Sequence, residues 1–224
     1  MRDFILNIET ATKSCSVSLF NGEQLVGFKE HISKEFSHSE MLTGYIEDLL
    51  KDSDILFSQL VAIAVSMGPG SFTGLRIGVA TAKGLCYALK IPLISVSTLQ
   101  AMAFGVANFF KADLYCPMID ARRMEVYSAF YDIKNKLIRE IRADVVDPTS
   151  YDKLLSVPIV FFGDGAEKLK NVIVHNNARF LDDVHPSAKN LGVLAYKKFI
   201  KNDFENIAYF EPYYLKDFVS NKKD

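Results

Sequence analysis

The sequence predicts an α/β protein with two lobes, because the same order of strands and helices occurs twice along its 224 residues. Each half has the order β-β-β-α-β-α-β-α, in which hairpin-type strands come first and strand–helix alternation follows. Antiparallel strands followed by parallel strands are typical of ribonuclease-H-like lobes, and a duplicated pair of them is the fold of actin-like ATPases, heat-shock chaperones and sugar kinases. We expect residues 1–110 to form the N-terminal lobe and residues 111–224 the C-terminal lobe.

The composition is that of a globular protein with a sizeable core, since 49% of the residues are hydrophobic and 24% are charged. Intrinsic disorder is therefore excluded. The net charge of −1 gives no global basic excess, so strong binding of nucleic acid by this chain alone is not expected, although a local basic patch stays open. The first residues show neither the h-region nor the cleavage site of a signal peptide, no apolar run reaches the roughly 20 residues of a membrane span, and the three cysteines form no CxxC. These features predict a reduced, cytoplasmic protein without a membrane partner.

The first half follows this order from its N-terminus. Asn21-Gly22 is a strong hairpin signal between the second and third strands. Ser37 and Glu40 form a capping box at the start of the first helix, whose apolar residues continue at helical spacing to Leu50. The predicted elements are strands over 4–8, 15–20, 24–31, 60–65 and 92–96, and helices over 41–50, 72–89 and 98–110.

The second half repeats the order with fewer strong helix signals. Its predicted strands cover 115–119, 125–131, 136–144, 158–162 and 178–181, and its predicted helices cover 151–155, 166–172 and 187–200. The turn Asp120-Ala121-Arg122-Arg123 is followed by Glu125, and this charged group is either a solvated hairpin or a polar cluster in a cleft between the lobes. No low-complexity linker separates the halves, so we expect them to pack closely.

A glycine-rich segment from Gly68 to Gly78 leads into the helix predicted over 72–89. Its N–H groups could bind an anion, or its glycines could simply allow a tight turn and close packing; it is not a P-loop, because GxxxxGK[ST] is absent. The helix is apolar on two sides, so its second side requires either another layer of this chain or a partner. One stripe consists of Leu75, Val79, Ala82, Cys86 and Leu89, and the other of Ile77, Ala80, Leu85 and Ala88.

The turn after the first strand, Ile8-Glu9-Thr10-Ala11-Thr12, stands where two-lobed ATPases have an Asp-x-Gly-Thr phosphate loop. Glu9 replaces the aspartate, and Ala11 replaces the glycine that lets the backbone approach a phosphate, which weakens nucleotide binding. A surviving nucleotide cleft would involve Glu9, Thr10 and Thr12, with Gly163 and Gly165 facing an adenosine. The alternative for the two glycines is an ordinary turn between a strand and a helix.

Hydrolytic motifs are missing from the sequence. The four histidines form no HxxxH or HExxH pair, and no GxSxG nucleophile elbow occurs. No local motif predicts a metal site, so any such site would have to be assembled from distant parts of the chain.

The segment from Ser66 to Gly78 closely resembles the TsaB family, also known as YeaZ, a component of the bacterial machinery that makes N6-threonylcarbamoyladenosine at position 37 of tRNA. The resemblance covers nearly the whole chain. It extends to Ile8–Thr12, His38-Ser39-Glu40, Asp120-Ala121-Arg122-Arg123 with Glu125-Val126-Tyr127, and Pro212-Tyr213-Tyr214-Leu215-Lys216.

The resemblance implies a non-catalytic scaffold or dimerisation subunit that binds and stabilises TsaD, the catalytic relative with the same fold. The metal-binding H-L-E-G-H element of TsaD corresponds to residues 96–102, where Thr98 and Met102 replace the histidines. No catalytic residue, metal or cofactor is therefore expected in this chain, whereas ATP and a metal are expected in the partner subunits. TsaE, a small ATPase, is implied as a second partner, with tRNA bound only through the complex.

The resemblance places the TsaD interface on the helices over 39–50 and 72–89. The residues expected to contact the partner are Met41, Tyr45, Leu49, Leu75, Val79, Ala82 and Cys86. An exposed apolar helix pair would also form a homodimer when the chain is alone. The rival hypotheses are an autonomous actin-like ATPase or phosphotransferase, which the missing loop glycine disfavours, and a glycoprotease-like peptidase, which the missing hydrolytic motifs disfavour.

Overall fold

The computed structural model describes residues 3–32 and 38–216, which form two five-stranded sheets with helices packed on them. The strands are β1 (Phe4–Glu9), β2 (Ser14–Asn21), β3 (Gln24–Ile32), β4 (Leu60–Ser66), β5 (Leu93–Val96), β6 (Leu114–Asp120), β7 (Glu125–Asp132), β8 (Leu137–Val145), β9 (Ile159–Phe162) and β10 (Ala178–Leu181). The α-helices are α1 (His38–Asp52), α2 (Phe72–Leu89), α3 (Thr98–Ala107) and α4 (Gly192–Phe199). The capping box predicted at Ser37 and Glu40 lies outside the residues and side chains that are described.

The two sheets have matching topologies, which confirms the predicted fold class. The first has the order β3-β2-β1-β4-β5 and the second β10-β9-β6-β7-β8. In each sheet the central strand pairs antiparallel with its hairpin partner on one side and parallel with a later strand on the other. Among the described helices, none combines the length and the apolar character that a membrane span requires.

The first sheet is covered on both faces, which explains why every residue of β1 is buried. Alternate residues of a strand point to opposite faces. Leu6 and Ile8 therefore pack against α1 and α2, whereas Ile5 packs against Leu191 and Ala195 near α4.

Two helices pack on the sheet of the other half of the chain. α3 buries Leu99 and Met102 against Tyr115 and other residues of the second sheet. α4 contacts β1, β4 and β5 of the first sheet. The predicted boundary near residue 110 separates the two sheets, but helix packing crosses it in both directions, so the core of each lobe includes a helix from the other half of the chain.

The second lobe has fewer helices than the sequence predicts. Residues 151–155 form turns, and within 166–172 a single 3-10 turn covers Glu167–Leu169. Each segment is too short to offset the cost of nucleating an isolated helix. Each instead inserts a few apolar side chains into the core, Tyr151 and Leu155 from the first and Leu169 from the second. The helix predicted over 187–200 is a 3-10 turn followed by α4.

A mostly buried ionic network ties β8 to the turn at Tyr151. The Asp144 carboxylate accepts hydrogen bonds from Arg139 Nη1 at 3.1 Å, Ser128 Oγ at 2.5 Å and Tyr151 Oη at 2.9 Å. The Arg139 guanidinium also lies 4.7 Å from the Phe130 ring centroid. Burial raises the pKa of Asp144, but the hydrogen bonds from Arg139 and Ser128 outweigh it, so the pKa lies below its ordinary value.

Replacing Asp144→Asn should lower the free energy of unfolding by about 3 kcal/mol at neutral pH, because the mostly buried Arg139 charge loses its partner. Since folding lowers the pKa of Asp144, its contribution is complete above about pH 4 and declines as the pH falls further, so the difference between wild type and variant should shrink below that pH. Urea denaturation across this pH range measures both effects. The double variant Arg139→Met with Asp144→Asn should recover most of the loss, and a single variant as stable as wild type would contradict the assignment.

Candidate functional site

A cleft of about 610 Å³ lies between the lobes. Its walls are the turn after β1, the glycine-rich turn before α2, the turn between β6 and β7, and a C-terminal segment. The lining residues that carry charged or aromatic side chains are Lys13, Phe72, Asp120, Arg122, Tyr127, Asp164, Tyr213, Tyr214 and Lys216.

The turn after β1 is closed by the start of α2. Thr10 Oγ1 donates to the Gly74 carbonyl at 2.8 Å, and Ser71 N donates to the Ala11 carbonyl at 2.6 Å. Glu9 is fully buried, and its Oε1 accepts hydrogen bonds from Ala11 N at 2.6 Å and Ser66 Oγ at 2.8 Å. The groups that would face a phosphate are therefore used inside the protein.

The glycines of the glycine-rich segment serve this close packing. A Cβ at Gly70 would lie 2.3 Å from the Ala11 carbonyl oxygen, and a Cβ at Gly78 would lie 2.3 Å from Thr10 Oγ1. Both distances are far below van der Waals contact. Of the two roles that the sequence leaves open for this segment, the structure supports close packing.

The second predicted glycine turn is equally packed. Gly163 has a φ of +102°, and a Cβ there would lie 2.2 Å from the Met118 carbonyl oxygen. At Gly165 a Cβ would lie 2.9 Å from Ile119 C and from Val126 Cγ1. The absence of a side chain at these two glycines therefore lets the turn pack closely against β6.

An adenine nucleotide bound by these two turns, as the fold family implies, does not fit this arrangement. Thr10 and Glu9 are buried, Thr12 is 6% exposed, and only Ala11, Thr12 and Lys13 of the first turn line the cleft. Thr98 and Met102, at the positions of the TsaD histidines, are buried on α3. Among the side chains that the structure describes, no three from His, Cys, Asp or Glu are grouped closely enough to hold a metal ion.

The burial of Glu9 changes its acidity. Desolvation raises the pKa of Glu9 from 4.5 to about 7, although hydrogen bonds from Ala11 and Ser66 oppose the shift. Its Oε2 is buried without a hydrogen-bond partner, which is consistent with a carboxyl group that is partly protonated near neutral pH.

The residues predicted to contact a partner lie on two different sides of their helices. Leu49 on α1 and a stripe on α2 are buried in this chain's own core; that stripe consists of Leu75, Val79, Ala82 and Cys86. Met41 and Tyr45 are half-buried at the edge of α1. The structure thus corrects the choice of face, because the first stripe of α2 covers the sheet and only the second stripe reaches the surface.

The outward face of α2 is uncharged between Arg76 and Lys90. Ala80, Gly84 and Ala88 are exposed along its centre, and the Tyr87 side chain is 83% exposed. Gly84 on α2 and Gly44 on α1 both lie on exposed sides, and a Cβ at either position would meet no atom within 4 Å. The signal of both glycines in the sequence is a glycine within a helix, placed opposite the buried stripe.

The far side of α2 is covered by a C-terminal strap, residues 205–216. Lys83 Nζ donates to the Phe210 carbonyl at 3.1 Å, and Arg76 Nε donates to Tyr214 Oη at 3.3 Å. The Tyr214 ring lies 4.7 Å from the Phe72 ring. No local sequence pattern signals these contacts, because they join residues more than a hundred positions apart.

Comparison with known proteins places the chain in context. The family model for "TsaD: tRNA N6-adenosine threonylcarbamoyltransferase" matches residues 33–222. The "tRNA threonylcarbamoyladenosine biosynthesis protein TsaB" of Escherichia coli (strain K12) is 31% identical over 226 residues, covering 98% of this chain and 97% of that protein. The structure of "YeaZ from Pseudomonas aeruginosa" superposes with a TM-score of 0.81 at 26% identity, covering 95% of this chain and all of the other.

Replacing Glu9→Gln should remove a pH dependence of stability. Because folding raises the pKa of Glu9, the wild type should lose up to about 1.4 kcal/mol of stability for each pH unit between pH 4.5 and pH 7, and little above that. The unfolding free energy of the variant, relative to wild type, should rise over the same range. Glu167→Gln, at an exposed position, should leave the wild-type profile unchanged. A flat difference for Glu9→Gln would show that the carboxylate is ionised throughout.

Replacing Gly78→Ala and Gly84→Ala should shift stability in opposite directions. Gly84→Ala should raise the free energy of unfolding by up to about 1 kcal/mol, because alanine favours the helix and open space surrounds the site. Gly78→Ala should lower it by roughly 1–3 kcal/mol, because the methyl group pushes against Thr10. Thermal and urea unfolding of the two variants measure the contrast, and equal shifts would refute the packing role of Gly78.

Proposed function

This chain belongs to the TsaB family, and we propose that it is the non-catalytic subunit that binds and stabilises a TsaD-type catalytic subunit. The family places it in tRNA threonylcarbamoyladenosine biosynthesis. The finer role is supported by two features of the chain. The turn after β1 is closed to phosphate, and the outward side of α2 presents the small residues Ala80, Gly84 and Ala88 to solvent.

The outward face of α1 and α2 carries the proposal, above all Gly44 and Gly84. A glycine within a helix costs about 1 kcal/mol relative to alanine, and no atom of the described residues requires one at either position. Small residues at a helix surface let a second helix approach closely. Ala80 and Ala88 extend the small-residue surface on α2.

The match to the TsaD family model suggests the geometry of assembly. A TsaD-type partner that shares the fold would present the equivalent two helices, so the subunits could pair in a pseudo-symmetric way. The same face would also pair two copies of this chain. The homodimer of the isolated chain, the TsaE-like second partner and a cytoplasmic location stay predictions.

Replacing Gly84→Glu should weaken association with the TsaD-type subunit of the same organism by roughly 3 kcal/mol, more than a hundredfold, because a charge would be buried without a partner. The chain itself should stay folded, since glutamate favours a helix more than glycine does. Light scattering and calorimetric titration of the mixed subunits, with and without ATP, measure association.

The matched control is Lys153→Glu, which also places a glutamate at an exposed position but in the second lobe. It should bind as wild type does. Normal binding by a folded Gly84→Glu variant would overturn the proposed interface, and no association of the wild-type subunits in either condition would overturn the scaffold role.

A further inference from the structure

The turn between β6 and β7 is built in an unfavourable backbone conformation. Arg122 and Arg123 both have a positive φ, at 71° and 51°. Residues other than glycine rarely adopt a positive φ, and two such residues in succession do so only when the surrounding contacts enforce it. The turn therefore has a precise shape that its local sequence does not favour.

Lys168 holds the turn in that backbone conformation. Its Nζ donates to the Arg123 carbonyl at 2.6 Å and to the Glu125 carbonyl at 2.8 Å, and it forms an ion pair with Asp120. The Asp120 carboxylate also accepts from Arg122 N at 3.1 Å. A lysine thus serves to position the two arginines.

The result is a cation at the cleft wall, Arg122, with the exposed Arg123 next to it in the turn. Among the described residues, the side chains of Lys13, Arg122 and Arg123 take part in no hydrogen bond or ion pair, and the two arginines are exposed. Lys13 and Arg122 line the cleft from opposite lobes. Two nearby acids are neutralised within the protein, because Asp120 pairs with Lys168 and Glu125 with Lys216. Of the two acidic residues that line the cleft, Asp120 forms an ion pair, whereas Asp164 forms none with the described residues.

Aromatic rings lie beside these cations. Tyr127 and Tyr213 line the same cleft, and Tyr213 is anchored because its N–H donates to the Met67 carbonyl at 2.7 Å. Guanidinium groups match phosphate oxygens, and aromatic faces stack on bases without regard to sequence. The cleft therefore combines the two contacts by which proteins hold single-stranded nucleic acid.

We propose that this cleft binds one nucleotide of an RNA strand, with the phosphate on Lys13, Arg122 and Arg123 and the base against Tyr127 and Tyr213. The choice of RNA rests on the proposed function, whereas the phosphate-and-base chemistry rests on the cleft. A free mononucleotide carries the same chemistry and is the other source to distinguish. The site differs from the phosphate loop after the first strand of actin-like ATPases, because side chains from both lobes would hold the phosphate, whereas the backbone of the turn after β1 is engaged within the protein.

The test measures binding of a fluorescent stem-loop RNA and of fluorescent AMP by anisotropy, at salt concentrations from about 50 to 200 mM. The protein is the full chain, alone and mixed with its TsaD-type partner. The double variant Arg122→Gln with Arg123→Gln should weaken RNA binding at least tenfold and lower the salt slope by about 0.7, because the one phosphate in the cleft is no longer neutralised. Tyr213→Leu should weaken binding several-fold without changing the slope. The control is Lys153→Gln with Lys201→Gln, which removes two exposed charges elsewhere.

RNA binding that depends on the arginines, without AMP binding, assigns the site to RNA. AMP binding with the same dependence assigns it to a free nucleotide. The proposal is overturned if the double variant binds both probes as wild type does, or if wild type binds neither. Light scattering on the same samples distinguishes failure of the RNA site from failure of the scaffold role. If the heterodimer forms but binds no RNA, only the RNA site is rejected. If no heterodimer forms, the scaffold role is rejected, and binding of RNA by the chain alone still tests the site.

Discussion

The contact between the turn after β1 and the start of α2 is the constraint on which this structure depends. Thr10 and Ala11 bond directly to the backbone of residues 71–74, and Gly70 and Gly78 allow that approach. This packing presses one stripe of α2 onto the sheet and leaves the other stripe outside. The same contact occupies the space and the polar groups that a phosphate would need, so one feature both closes the turn and orients the helix.

The second organising feature is the return of residues 187–216 to the first lobe. α4 covers the face of the first sheet that α1 and α2 leave open, and the C-terminal strap runs along α2 to the cleft. Lys216 at its end pairs with Glu125 of the second lobe. The cleft wall, the edge of the α2 face and the joint between the lobes therefore all depend on this segment.

Much of the fold could be read from local patterns. The helix predicted over 72–89 coincides with α2, because its N-cap at Ser71 and its long apolar periodicity are strong local signals. The strands agree within one or two residues for similar reasons. The short helices predicted near Tyr151 and Leu169 are wrong, because a few apolar residues at helical spacing also fit a turn that anchors side chains in a core.

Composition, the order of the strands, the missing hydrolytic motifs and the family are properties of the residue pattern alone, and the sequence was enough to establish them. The choice of the face of α2 was not, because both of its stripes are apolar and only packing against the sheet buries Leu75 and exposes Ala80. The position of Arg122 at the cleft rim and the hydrogen bond from Lys83 to the C-terminal strap could likewise be seen only in the folded chain. These contacts join residues tens to more than a hundred positions apart, and no local periodicity carries information over that distance.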